Sequence, residues 1–238
     1  MPGGKNEDLG VTPGAQPFTE AGGPLHPIGA DAAGLDGSRT LGDVQFFREA
    51  HHYSQLEIRA RALSRRRTSL SLWCCGCGTG EDAYAAAMVL REAGSHGEVV
   101  ATDAEGDALA AARRGMYRLA DVRPLGEARL QRHFFVRGSE DADRVALVRG
   151  ELRAMVRFVG HELAGGARLP GAPFDFIFCR SGLSVLDSPT RRRAIDDLAQ
   201  ALAPGGVLFL GQSESFGVAH PELLPCGRTA FERRSRGS

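Results

Sequence analysis

The chain has 238 residues, of which 42% are apolar and 24% charged, enough for one well-buried domain with further segments attached. Lysine plus arginine and aspartate plus glutamate balance at 29 each, so bulk charge gives no drive toward nucleic acid or an anionic surface. Five cysteines, three of them crowded at Cys74, Cys75 and Cys77, make neither an even disulfide framework nor a zinc-ligand spacing, and no metal is expected. The N-terminus lacks a basic start followed by an apolar core, and no run of about 18 apolar residues occurs. The expectation is a cytoplasmic monomer with no nucleic-acid partner and no membrane insertion.

Residues 1–40 are dominated by Gly, Pro, Ala and Asp with almost no periodic apolar signal, and are expected to form a disordered leader. Over residues 41–70, "DVQFFREAHHYSQLEIRARALSRR" sets Phe46, Phe47, Leu56, Ile58 and Leu63 among charges, which predicts a short helical lead-in. A regular alternation then fills residues 71–238. "SLSLWCC" reads as a strand, "EDAYAAAMVLREAG" as a helix stopped by Gly94, "EVVATD" as a strand and "EGDALAAARRG" as a helix stopped by Gly115. Strand, helix, strand, helix implies parallel pairing with right-handed crossovers.

The stretch from about residue 130 to 163, with "HFFVRG" and "RVALVRGELRAMVRFVGHEL", breaks the alternation and predicts an antiparallel β insertion. Beyond it, "PFDFIFCR" is an apolar strand. "SPTRRRAIDDLAQALA" is a helix with Ser188 expected as N-cap and Pro189 in the first turn. "GGVLFLGQS" is another strand, and "TAFERR" is expected at an edge.

The chemistry concentrates in "LWCCGCGTGEDAY". Gly76, Gly78 and Gly80 form a loop between a strand and a helix, where open α/β sheets take ligands beyond the carboxyl ends of their strands. A triphosphate loop would end in Gly-Lys-Ser/Thr, but Gly80 is followed by Glu81 and Asp82. Two carboxylates in the first helical turn satisfy the helix dipole and repel a pyrophosphate, whereas S-adenosylmethionine has no phosphate and carries an ammonium and a sulfonium. Asp103 ends the second strand, about 20 residues beyond the glycines, where such folds place a ribose-binding acid. The alternative is that the glycines only permit close helix–strand packing.

"FFREAHH", "GTGEDAY", "ATDAEGDALAAARRGMYRL", "ELRAMVRF", "PFDFIFCR" and "LAPGGVLFLGQSES", in that order, resemble the CheR-type chemoreceptor glutamate methyltransferases from about Leu41 onward. The resemblance implies an α/β fold: a class I S-adenosylmethionine-dependent methyltransferase (Rossmann-like) sheet, helices on both faces and a small antiparallel β insertion. It implies S-adenosylmethionine as methyl donor and glutamate side chains of a chemoreceptor cytoplasmic domain as acceptor and partner. By position it implies Arg48 near the cofactor's methionine end as the catalytic arginine, Asp103 on the ribose and Asp82 at an acidic site position. It further implies Leu163 as an apolar adenine contact and Arg180 as the arginine of the "FCRN" motif. Glu162 stands where the family has an Asn beside the adenine, Ser181 where "FCRN" has Asn, and Val185 where a Tyr is usual. Those replacements keep two alternatives open: a non-catalytic CheR-like module, or a methyltransferase acting on another substrate.

His51 and His52 point in different directions on a helix and are expected to pack or face solvent. The runs Arg65 to Arg67 and Arg191 to Arg193 are expected on solvated helix faces. The neighbouring acids should keep Cys75 and Cys77 unreactive.

Overall fold

In the computed structural model, which describes residues 45–139, 144–165 and 171–235, apolar runs with no alternation form the central strands of a sheet covered on both faces. The expected leader, 1–40, and the first residues of the lead-in lie outside the described residues.

Helix α1 is Ala50–Ser64. Then follow β1 (Ser71–Cys75), α2 (Glu81–Glu92), β2 (Glu98–Asp103), α3 (Gly106–Arg114), β3 (Met116–Arg118), α4 (Leu119–Val122), α5 (Glu127–His133), β4 (Phe134–Arg137) and β5 (Val145–Val148). The remainder is α6 (Gly150–Arg153), β6 (Val156–Gly160), β7 (Phe174–Cys179), α7 (Ser188–Ala201), β8 (Leu202–Leu210), β9 (Leu223–Gly227) and β10 (Ala230–Arg233). The main sheet runs β6-β2-β1-β7-β8-β10-β9; its first five strands are parallel, and β10 is antiparallel to both neighbours.

Period-2 side-chain alternation divides the core in two. Leu72, Cys74, Val99, Ala101, Phe176, Phe178, Val207 and Phe209 face α1 and α2, while Trp73, Cys75, Val100, Ile177, Cys179, Leu208 and Leu210 face α7. Every residue from Ala83 to Leu90 is buried, because α2 lies against the sheet and is itself covered by α1.

Four local expectations change. The antiparallel sheet has the order β3-β5-β4, so it opens at Met116, ahead of the expected insertion over residues 130–163. The stretch Val156–Gly160, expected inside that insertion, pairs in parallel with β2 instead, because Val156 and Phe158 continue the main core. β10 lies between β8 and β9 and so is interior, and β9 takes the edge. The N-cap of α7 is Asp187, not Ser188: its Oδ1 accepts from the Thr190 amide at 2.8 Å, and Ser188 is already helical.

Candidate cofactor site

The carboxyl ends of β1, β2, β6 and β7 meet around the glycine loop. Asp103 secures it: Oδ2 accepts from the Gly78 amide at 2.7 Å and Oδ1 from the Glu105 amide at 3.0 Å. Cys77 N–H donates to the Thr102 carbonyl at 2.9 Å, and the Tyr117 hydroxyl donates to the Thr79 carbonyl at 2.8 Å. Gly76 has φ +69°, and a Cβ there would lie 3.0 Å from the Ser181 carbonyl oxygen, so bare backbone lets the loop meet the end of β7. The Asp103 carbonyl accepts from the His161 amide at 3.0 Å, which brings the segment holding Glu162 and Leu163 beside β2. Glu162 is exposed and Leu163 half-buried.

The two acids of α2 point elsewhere than a cationic ligand alone would require. Glu81 Oε1 accepts from the Thr79 hydroxyl. Asp82 meets Arg180: Nε lies 3.1 Å from Oδ2, and Nη2 contacts Oδ1. The Tyr53 hydroxyl donates to Asp82 Oδ1 at 3.0 Å, and Arg48 Nη2 lies 3.4 Å from Oδ2. The Asp82 carboxylate thus has its cationic partners, Arg180 and Arg48, within the protein.

Arg180 is 6% exposed, yet retains its charge. Burial works against the cation, but the Tyr53 oxygen and the Asp82 carboxylate outweigh it and raise its pKa. Its Nη1 donates to the Arg48 carbonyl and its Nη2 to the Tyr53 hydroxyl at 3.2 Å. The Tyr53 hydroxyl is held protonated by burial and by the adjacent Asp82.

Arg48 projects its guanidinium outward, with 47% of the side chain exposed, from between Phe47 (φ 57°) and Glu49 (φ 55°). Left-handed backbone at two non-glycine residues costs on the order of 1–3 kcal/mol each and persists only when its surroundings fix it. Here the Arg48 carbonyl is held by Arg180, and Glu49 Oε1 accepts from the Gln212 amide at 3.1 Å.

The predicted site residues therefore form one contact network, except that Glu162 and Leu163 join it only through their backbone neighbour His161. Tyr53, Tyr117 and Glu49 were missed, because single tyrosines and a glutamate in helical or apolar context carry no spacing signal. His52 is fully buried with Nε2 2.8 Å from Thr229 Oγ1, and burial, then the neighbouring His51 and Arg180, lower its pKa to about 3. Burial first, and then Asp103, push the Cys77 thiol up, which makes it a poor nucleophile. The arginine runs are exposed as expected, with Arg191 alone half-buried, and they also make specific contacts: Arg67 Nη1 lies 2.5 Å from Asp175 Oδ1, and Arg191 Nη2 donates to the Glu214 and Phe216 carbonyls at 2.7 Å.

This strand order, with the glycine loop after β1 and an acid closing β2, defines a class I methyltransferase sheet. The family described as "CheR methyltransferase, SAM binding domain" matches residues 43–229. The chain is 35% identical over 210 residues to the chemotaxis protein methyltransferase of Klebsiella aerogenes, covering 86% of this chain and 71% of that one. It is 33% identical over 198 residues to the chemotaxis protein methyltransferase of Escherichia coli, covering 82% and 68% respectively. The chain belongs to the CheR methyltransferase family, and its cofactor is S-adenosylmethionine. No helix among the described residues is long and apolar enough to cross a membrane, and no cluster of His, Cys, Asp or Glu there could hold a metal ion.

Proposed function

We propose that the chain transfers the methyl group of S-adenosylmethionine to glutamate side chains of a chemoreceptor cytoplasmic domain. The observation that carries this reading is the clamp from Arg180 to the Arg48 carbonyl, which sets a solvent-facing guanidinium at the rim of the glycine loop.

The residues present fit the cofactor. Each oxygen of Asp103 takes one backbone N–H and keeps lone pairs for ribose hydroxyls. Gly76, Gly78 and Gly80 would offer bare backbone to the amino-acid end, and Leu163 an apolar contact to the base. Glu162 and Ser181, both exposed, would border the nucleoside in place of amides. Glu81 and Arg180 act by positioning, the first by fixing Thr79 and the second by fixing Asp82 and Arg48. When bound, the cofactor supplies an electrophilic methyl group on a sulfonium.

A glutamate carboxylate, with an ordinary pKa of about 4.3, is ionised at pH 7 and needs no general base. The protein's work is alignment and exclusion of water. Arg48 can hold one acceptor oxygen by a charge-assisted hydrogen bond and leave the other free to react. Val185 offers no hydroxyl, so orientation of the acceptor falls to Arg48. We infer further that the chain works as a cytoplasmic monomer.

The test is transfer of radiolabelled methyl to a purified chemoreceptor cytoplasmic domain, with base-labile label at glutamate. Label that appears with the wild type and is lost with Arg48→Ala supports the reading. Cofactor binding without label on that domain points to another acceptor, and neither binding nor transfer points to a non-catalytic module.

A further inference from the structure

Two large apolar side chains stand in water on neighbouring loops at the ligand edge of the sheet. Val185, in the loop after β7, is 84% exposed, and Phe216, in the loop after β8, is 69% exposed. Single exposed apolar residues are ordinary, but these two share one rigid frame. Ser184 Oγ donates to Glu214 Oε1 at 3.0 Å, which ties the first loop to the second. Arg191, from α7, donates to the carbonyls of both Glu214 and Phe216. The Glu214 and Ser215 amides close a turn on the Gly211 carbonyl, each at 3.0 Å, and Leu183 is fully buried below. The backbone on both sides is thus fixed while the apolar tips are held outward.

The place and the charge indicate what covers them. The Val185 loop begins at Ser181, whose carbonyl abuts Gly76 of the glycine loop. The Phe216 loop begins at Gln212, whose amide binds Glu49 beside Arg48 and whose Oε1 accepts from Arg228 Nη2 at 3.0 Å. The rim therefore presents two apolar tips on loops whose first residues meet the glycine loop, Glu49 and Arg228, with Arg48 and Arg228 both exposed, an arrangement complementary to a carboxylate flanked by apolar side chains. Small molecules that merely carry a carboxylate would leave the tips uncovered.

We propose that Val185 and Phe216 form an apolar lip that grips the protein acceptor, taking the apolar residues beside the glutamate that Arg48 receives. This rests on the acceptor reading above and adds the chemistry by which acceptor segments are selected. A preorganised lip lowers the cost of ordering the complex, so its loss appears in acceptor binding more than in the chemical step.

The experiment uses the full chain with radiolabelled S-adenosylmethionine and a chemoreceptor cytoplasmic domain. Val185→Ser, Phe216→Ser and the double variant are compared with the wild type for acceptor KM, kcat and cofactor Kd. Each single change is expected to raise KM about tenfold, the worth of one lost apolar contact of this size, with cofactor Kd within twofold of wild type. In a second arm, apolar residues flanking the acceptor glutamate are changed to Ser: the wild type should lose the same factor and the double variant should be indifferent. Unchanged KM in the variants, or equal sensitivity of wild type and double variant to the flanking change, overturns the lip while leaving methyl transfer intact. A wild type that labels no protein overturns the acceptor reading and the lip together.

Discussion

Arg180 and Asp82, 98 residues apart in sequence, form a two-pronged ion pair that joins the end of β7 to the first turn of α2. Because Arg180 also holds the Arg48 carbonyl, this one pair links the glycine loop, the sheet and the arginine at the rim.

Truncating it should be costly. Arg180→Ala leaves the Asp82 carboxylate partly buried without its main partner, for an expected loss of about 3–5 kcal/mol in denaturant unfolding. Arg180→Lys should rescue little, since an ammonium cannot span Asp82, Tyr53 and the Arg48 carbonyl together. A change under about 1 kcal/mol for Arg180→Ala would show the clamp to be incidental.

Asp103 should act on ligand binding through the loop as well as directly. Asp103→Ala removes the acceptor for the Gly78 and Glu105 amides and for ribose hydroxyls, so cofactor affinity should fall roughly 10–100-fold by calorimetry. Asp103→Asn, which keeps one carbonyl acceptor, should fall between that variant and the wild type.

Glycine positions should separate sharply. Gly80 has φ +94°, and an added Cβ would lie 3.1 Å from Ala112 Cβ and 3.2 Å from the Tyr117 hydroxyl. Gly80→Ala should cost about 1–3 kcal/mol from backbone strain alone. At Gly106, in the first turn of α3, a Cβ meets nothing within 4 Å, and Gly106→Ala should stay within about 0.5 kcal/mol of wild type. Thermal unfolding of the two variants compares them directly.

Acid should weaken the fold through two groups. His52 has its folded pKa lowered from 6.5 to about 3, so the unfolded chain binds more protons below pH 6.5. Its contribution is complete above pH 6.5 and is lost as pH falls toward 3, at up to about 1.4 kcal/mol per pH unit. For Glu92, burial raises the pKa, but hydrogen bonds from His133 and Arg129 win and lower it from 4.5 to about 2. Its contribution is present above pH 4.5 and is lost between 4.5 and 2. Denaturant unfolding against pH should show His52→Gln flattening the slope between pH 6.5 and 4.5; an unchanged slope there would contradict the buried neutral imidazole.

The central sheet was legible because its strands are continuous apolar runs, as in "LWCC" and "FDFIFC", and the glycine loop because three small residues interrupt them. What escaped was set by contacts distant in sequence. Met116–Arg118 is too short to show a period and becomes a strand only by pairing with Val145–Leu147. Arg180 carries the motif, yet its inward direction follows from Tyr53 and Asp82, on helices 127 and 98 residues away in sequence. Capping chose Asp187 over Ser188 because the loop from Leu183 places the aspartate, not the serine, one step before the first helical turn.

The most direct test of cofactor binding at the glycine loop is calorimetric titration of the full chain with S-adenosylmethionine, run in parallel on Asp103→Ala. Saturable one-to-one binding to the wild type is expected, with an affinity at least tenfold weaker in the variant. Absence of binding by the folded wild type at millimolar cofactor, or binding that Asp103→Ala leaves unchanged, would contradict it.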